Sequence, residues 1–103
     1  MSTRLNQNLQ NKLIEILGSE NVYYQPPKST LMAYPAIRYT MKNIDTTNAN
    51  DKVYLMKTSY EIIVIDKLPN NPAIKELLKL PYCKYVRSYK ADNLYHDVLT
   101  LYF

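Results

Sequence analysis

Apolar residues near the start of the chain recur every three or four positions, which is the spacing of one face of an α-helix. We therefore predict an amphipathic helix over residues 3–17. Ser2 or Thr3 can cap its first turn, and Gly18 follows at the position where a left-handed residue closes many helices. The apolar stripe of this helix consists of Leu5, Leu9, Leu13, Ile16 and Leu17.

A second helix is predicted in the segment LPNNPAIKELLKLP, residues 68–81. Asn71 can cap this helix, and Pro72 falls at the first helical position, where its missing N–H costs nothing. Pro81 ends the pattern.

Between the helices, apolar and polar residues alternate as they do in strands that bury one face. A short extended piece at 22–24 stops before two prolines, which lack the N–H that a strand ladder needs. Strands at 36–44 and 52–67 flank the polar segment DTTNAND and predict a β-hairpin with an extended tip.

Two more strands are predicted at 82–89 and 94–103, with the turn-forming segment KADN between them. The predicted order is α-β-β-β-α-β-β, within a single domain over residues 1–103. We predict an α+β fold class, in which two helices pack on one face of a mainly antiparallel sheet.

The last strand is apolar on both faces toward its end, and such strands are usually covered on both sides. One face carries Val98, Thr100 and Tyr102, and the other carries Leu99, Leu101 and Phe103. The helices can cover one face. In a domain this small, we predict that another copy of the chain covers the second. The residues assigned to this predicted subunit interface are Tyr95, Leu99, Leu101 and Phe103.

Charge and cysteine content narrow the possible partners. The formal net charge is +4, from 13 basic and 9 acidic residues. The basic residues are spread along the chain, which favours an ordinary solvated surface over a groove for nucleic acid. Cys83 is the single cysteine, which fits a reducing compartment. No apolar run is long enough to span a bilayer, so no membrane partner is expected.

Two features of the composition bear on function. The chain has one glycine and 11 tyrosines. Few glycines leave few places for loops that cradle phosphate. Abundant tyrosine suits protein interfaces, although it also suits strands.

No group of residues in the sequence is typical of a catalytic or metal site. His96 is the single histidine, and Asp97 points to the opposite face of the same strand, so the two cannot pair. Cys83 has no histidine near it in the sequence and is expected to be a buried thiol. Asp45 and Asp51 flank one segment, but calcium loops usually supply more oxygen ligands. We therefore predict no enzyme activity, no catalytic residues, no metal and no cofactor.

Tyrosines near basic residues, in RYTMK and YCKYVRSYK, raise the alternative of a small module that binds single-stranded nucleic acid. The signal is weak, because Tyr82, Tyr85 and Tyr89 do not all project from one face of a regular strand.

Three blocks of the sequence resemble a family of small proteins from tailed bacteriophages. VYYQPPKSTLMAYPAIRY resembles the family's V-Y-[YF]-Q-P-P-x-S-x-x-M-x-Y-P-x-I motif. YLMKTSYEIIVIDKLP resembles its Y-x-x-x-x-x-Y-x-x-x-V-I-D-x-x-P block. LPYCKYVRSYKADNLYHDVLTLYF resembles its L-P-[YM]-C-x-x-x-R-x-[YF]-x-A-D-N-L-x-H-x-x-[FL]-T-L-Y-F ending. The matches extend over about residues 22–103, and the N-terminal helix matches only in character.

The resemblance implies a virion protein called a tail terminator or tail completion protein. Such proteins form a ring, commonly a hexamer, that caps the tail tube, ends its elongation and joins it to the head. The implied partners are further copies of the chain, the tail tube protein, head–tail connector or neck proteins, and the sheath where the tail contracts. DNA would pass through the lumen only as cargo. The implied location is the top of the tail in the virion, and the host cytoplasm during assembly. A neighbouring connector or neck-ring role is the alternative.

Within that assignment, the segment DTTNAND is predicted to project from the ring toward the lumen or an axial partner, because it is long and polar between two good strands. A merely solvated hairpin tip is the alternative. The residues concerned are Asp45, Thr46, Thr47, Asn48, Ala49, Asn50 and Asp51.

Overall fold

The computed structural model describes residues 5–49 and 52–103. Its elements are helices α1 (Gln7–Leu17) and α2 (Pro72–Leu78) and strands β1 (Val22–Tyr24), β2 (Ala36–Ala49), β3 (Lys52–Asp66), β4 (Cys83–Ala91) and β5 (Leu94–Tyr102). The strands form one sheet in the order β1-β2-β3-β5-β4. β1 and β2 pair in parallel, whereas the other three pairings are antiparallel. The predicted α+β fold class and element order are confirmed.

Helix α1 begins later than predicted. The side-chain oxygen of Asn6 accepts an N–H of the first turn at 3.2 Å, so Asn6 is the N-cap. The predicted caps Ser2 and Thr3 lie outside the described residues. Leu5 precedes the helix and is exposed, so its predicted place in the buried stripe is wrong. Gly18 has a φ of 75° and closes the helix, as predicted.

The main core lies between the two helices and one face of the sheet. α1 and α2 contribute the fully buried side chains of Leu9, Leu13 and Leu77. The facing positions of the sheet alternate along each strand, as expected for a sheet that buries one face under helices. The buried sheet residues of this core are Val22, Ile37, Tyr39, Tyr60, Ile62, Val64, Leu99 and Leu101.

The opposite face of the sheet has a smaller apolar cluster. It is centred on Ile63, Ile65 and Val98. Met32 and Tyr34 pack against it. Both belong to the irregular segment between β1 and β2. The second face at Val98 is therefore covered by the chain's own irregular segment, whereas the sequence pattern had suggested another copy.

The β2–β3 hairpin extends beyond the rest of the sheet. β3 pairs with β5 from Ser59 to Asp66, and the stretch 52–58 pairs with β2 alone. This two-stranded extension is called the arm below. Asp45–Ala49 belong to β2, so their prediction as a loop is wrong: backbone pairing with β3 overrides their turn propensity. Asn50 and Asp51 of the predicted loop lie outside the described residues.

Candidate assembly surfaces

β4 is an edge strand with an open outer side. It pairs with β5 on one side and is last in the sheet order. Seven of its nine residues are exposed, which for a strand means that neither face is covered. Tyr85 and Val86 leave apolar surface in solvent, at 44% and 50% exposure. Exposed apolar side chains on an unpaired edge strand are typical of a surface that binds a partner. Charged side chains on the same strand are typical of an edge that is protected against pairing with other strands.

A bulge divides β4 into two halves. Tyr85 lies opposite Leu99, but the next paired residue, Arg87, lies opposite Val98, so Val86 is the extra residue. Leu99 faces the helices and Val98 faces away from them. Tyr85 therefore projects from the helix side of the sheet.

Beyond the bulge, Tyr89 lies opposite His96 on the other side. The sequence predicted that these tyrosines would not share one face. Tyr85 and Tyr89 indeed project from opposite faces of β4 and form no common stacking surface.

Side chains of β4 and β5 contact one another across the ladder. The Tyr85 hydroxyl donates to Oδ1 of Asp97 at 2.7 Å. The pKa of Tyr85 is raised: a hydrogen bond with Ser88 lowers it, but the bond to Asp97, desolvation and the charge of Asp97 together outweigh that effect. The Lys90 ammonium lies 5.1 Å from the centre of the Tyr95 ring.

His96 packs against an aromatic neighbour. Its ring is buried and stacks on Tyr89 with the ring centres 4.6 Å apart. Its Nδ1 lies 3.1 Å from the carbonyl oxygen of Leu94. Asp97 points to the other face and bonds Tyr85, so the two neighbours do not act as a pair.

Exposed aromatic side chains gather where the arm leaves the sheet. We call Tyr82, Tyr102 and Phe103 the aromatic end. The Tyr102 N–H donates to the Tyr82 carbonyl at 3.2 Å, and the Phe103 N–H donates to the Thr58 carbonyl at 3.0 Å. Their exposures are 70%, 37% and 46%. A shallow hollow of about 250 Å³ lies between Tyr82 and Tyr102.

Cys83 lines that hollow and touches the main core. It is half-buried, and burial raises the pKa of its thiol. Cys83 was predicted to be buried, whereas it is half-buried, and its raised pKa gives no support to a nucleophilic role.

The four predicted interface residues have different environments. Leu99 and Leu101 are buried in the chain's own main core, so their side chains are not available to another copy, and their assignment to an interface is wrong. The cause is that the helices lie on their face of the sheet. Phe103 is exposed, and Tyr95 is half-buried beside Lys90. Phe103 and Tyr95 therefore stay candidates for an interface.

The open edge of β4 was not predicted from the sequence. A signal was present, because Lys84, Arg87 and Lys90 place a cation at every third position of the strand, with no acidic residue between them. Basic side chains of this kind are frequent on edge strands.

Within the described residues, no group of three or more histidine, cysteine, aspartate or glutamate side chains lies close enough together to hold a metal ion. Neither described helix is long and apolar enough to cross a membrane. Neither a family model nor a curated protein matches this chain.

Proposed function

We propose that this protein is a structural subunit of a tailed-phage virion that assembles into a ring on the tail tube. The ring would end tube growth and join the tail to the connector or neck of the head. Three sequence blocks that resemble tail terminators support this proposal, and so does the α+β fold that the resemblance implied. A connector or neck ring of the same kind is the second role consistent with these blocks.

The structural observation that carries the proposal is the aromatic end beside the base of the arm. Tyr82, Tyr102 and Phe103 leave large aromatic surface in solvent at one end of the sheet. Aromatic residues are enriched in protein interfaces, where they bury much area at low entropic cost. A ring needs two different surfaces on each subunit that complement each other, and this end of the molecule supplies apolar area for one of them.

Light scattering coupled to size-exclusion chromatography tests the proposal. We expect the purified chain to form a closed ring, alone or on tubes polymerised from the tail tube protein of the same genome. The variant Tyr82→Ser/Tyr102→Ser/Phe103→Ser should stay monomeric and should not cap tubes. Leu31→Ser is the matched control, because Leu31 is 96% exposed and lies outside the aromatic end.

Circular dichroism verifies that each variant is folded. Ring formation that is unchanged in the triple variant would remove the aromatic end from the proposal. A wild-type chain that stays monomeric and leaves tube length unchanged would overturn the proposed function itself.

A further inference from the structure

The outer edge of β4 has no strand partner among the described residues, since β4 is last in the order of the five-stranded sheet. An unpaired edge presents backbone N–H and C=O groups in the geometry that an added strand requires. Its nine residues are long enough to pair with an extended peptide.

At the opposite edge of the sheet, by contrast, local contacts occupy backbone groups of β2. Just after the short strand β1, Gln25 continues along the edge of β2. The backbone N–H of Gln25 donates to the Tyr39 carbonyl at 2.9 Å. The side chain of Gln25 then accepts the Met41 N–H at 3.2 Å. Local contacts thus occupy backbone groups of the β2 edge beyond β1, and comparable local contacts are not among those described for β4.

The β4 edge is also positively charged. Lys84, Arg87 and Lys90 are all exposed, and the strand contains no acidic residue. The ion pairs found among the described residues use lysines elsewhere, namely Lys12, Lys42 and Lys79. The three cations of β4 are therefore not neutralised by a carboxylate of the described part of the chain.

These charges discriminate between possible occupants. Two copies of β4 placed side by side would set three cations against three, and like charges on adjacent strands destabilise a pair. Lysines and bulges on an edge strand are known means of preventing such self-pairing. An extended segment with acidic side chains meets the opposite condition, because each of its carboxylates would face a cation.

We propose that β4 accepts an extended acidic segment of a partner protein, which adds a sixth strand to the five-stranded sheet. The incoming strand covers the apolar surface of Tyr85 and Val86. Carboxylates on one of its faces meet Lys84 and Arg87, and a carboxylate on the other face meets Lys90. This inference goes beyond the proposed function and holds whether or not the chain forms a ring.

A polyanionic nucleic acid is a poorer match for the same cations. Tyr85 and Tyr89 project from opposite faces, so successive bases find no shared stacking surface. Both rings already have partners, since Tyr85 bonds Asp97 and Tyr89 stacks on His96.

The test measures fluorescence anisotropy of a labelled nine-residue peptide of glutamate, valine and threonine, in which glutamates are placed on both faces of the extended strand. A lysine version of the peptide and a fifteen-residue oligothymidine are the comparison probes. We expect the wild-type chain to bind the glutamate peptide, more weakly as salt rises. Lys84→Glu/Arg87→Glu/Lys90→Glu should lose at least about tenfold in affinity and should gain affinity for the lysine peptide.

The matched control is Lys28→Glu/Lys67→Glu/Lys75→Glu, which changes net charge equally at exposed positions off the strand and should bind as the wild type does. Hydrogen exchange should show new protection confined to Cys83–Ala91. An equal loss in the control variant would mean that bulk charge drives binding, which overturns the proposal. Binding of oligothymidine without the peptide would overturn it in favour of nucleic acid. No binding of any probe would show that β4 is only a protected edge.

Discussion

β4 and β5 are antiparallel neighbours of nine residues each, drawn from one tyrosine-rich block of sequence, yet their side chains have opposite environments. Val98, Leu99 and Leu101 of β5 are at most 2% exposed. Tyr85 and Val86 of β4 are about half exposed. The difference comes from strand order: β5 lies between β3 and β4, and β4 lies outside. Position in the sheet thus decides burial where composition alone does not.

The largest expected loss of stability is for a substitution in the buried strand β5. Leu99→Ala should lower the free energy of unfolding by about 3 kcal/mol, because it removes a fully buried side chain and leaves a cavity. Val86→Ala on β4 should cost about 0.5 kcal/mol or less, since its side chain is half exposed. Urea denaturation at low protein concentration measures both. Similar losses for the two variants would mean that β4 is as well covered as β5.

Much of the fold follows from local signals in the sequence. Asn71 and Pro72 begin α2 as predicted, and Gly18 ends α1. The turn between β4 and β5 was also predictable, and Asp92 and Asn93 adopt the positive φ angles of 53° and 61° that tight hairpins need. These features depend on residues close together in the chain, where propensity and hydrogen bonding act directly.

Features that depend on distant pairing were not predictable in this way. The apolar pattern of β5 predicts that both faces of the strand are covered. It does not predict that Met32 and Tyr34 pack on one of those faces. Irregular segments have no hydrophobic period, so their packing leaves no signal in the sequence. The strand content of Asp45–Ala49 was missed for a related reason: their pairing with β3, and not their own propensity, makes them strand.

A second prediction concerns a tyrosine in the main core. Tyr39 is buried, and its hydroxyl donates to Oε1 of Gln10. Burial raises the pKa of Tyr39 above its ordinary value of 10.0, with smaller contributions from Tyr24 and Tyr60. At pH 7, Tyr39→Phe should cost about 1 kcal/mol, the usual net worth of a buried hydrogen bond.

Alkaline pH should reduce the difference in stability between the wild-type chain and Tyr39→Phe. Above about pH 10 the unfolded chain releases the Tyr39 proton while the folded chain keeps it, so stability falls as pH rises. The loss approaches about 1.4 kcal/mol per pH unit, and the Phe variant lacks it. Urea denaturation of both proteins from pH 7 to 11 should show their stabilities converging. Parallel pH profiles would mean that Tyr39 titrates normally in the folded state.

Candidate surfaces were harder to predict than the fold, because exposure is a property of the whole sheet. Phe103 was assigned to an interface together with Leu99 and Leu101, since all three share one face of the strand. The helices cover the two leucines and stop short of Phe103, which is 46% exposed. The side-chain period identified the shared face, but it could not show where the covering helices end.

The smallest expected loss of stability comes from removing a side-chain contact between β4 and β5. Tyr85→Phe removes the bond from its hydroxyl to Asp97 at the exposed edge. We expect a loss below about 0.5 kcal/mol, because water replaces an exposed hydrogen bond at little cost. Urea denaturation of Tyr85→Phe and Tyr39→Phe under the same conditions compares their losses in free energy of unfolding. A loss as large as that of Tyr39→Phe would mean that the Tyr85–Asp97 bond is shielded from solvent, and that β4 is covered in solution by something beyond its own chain.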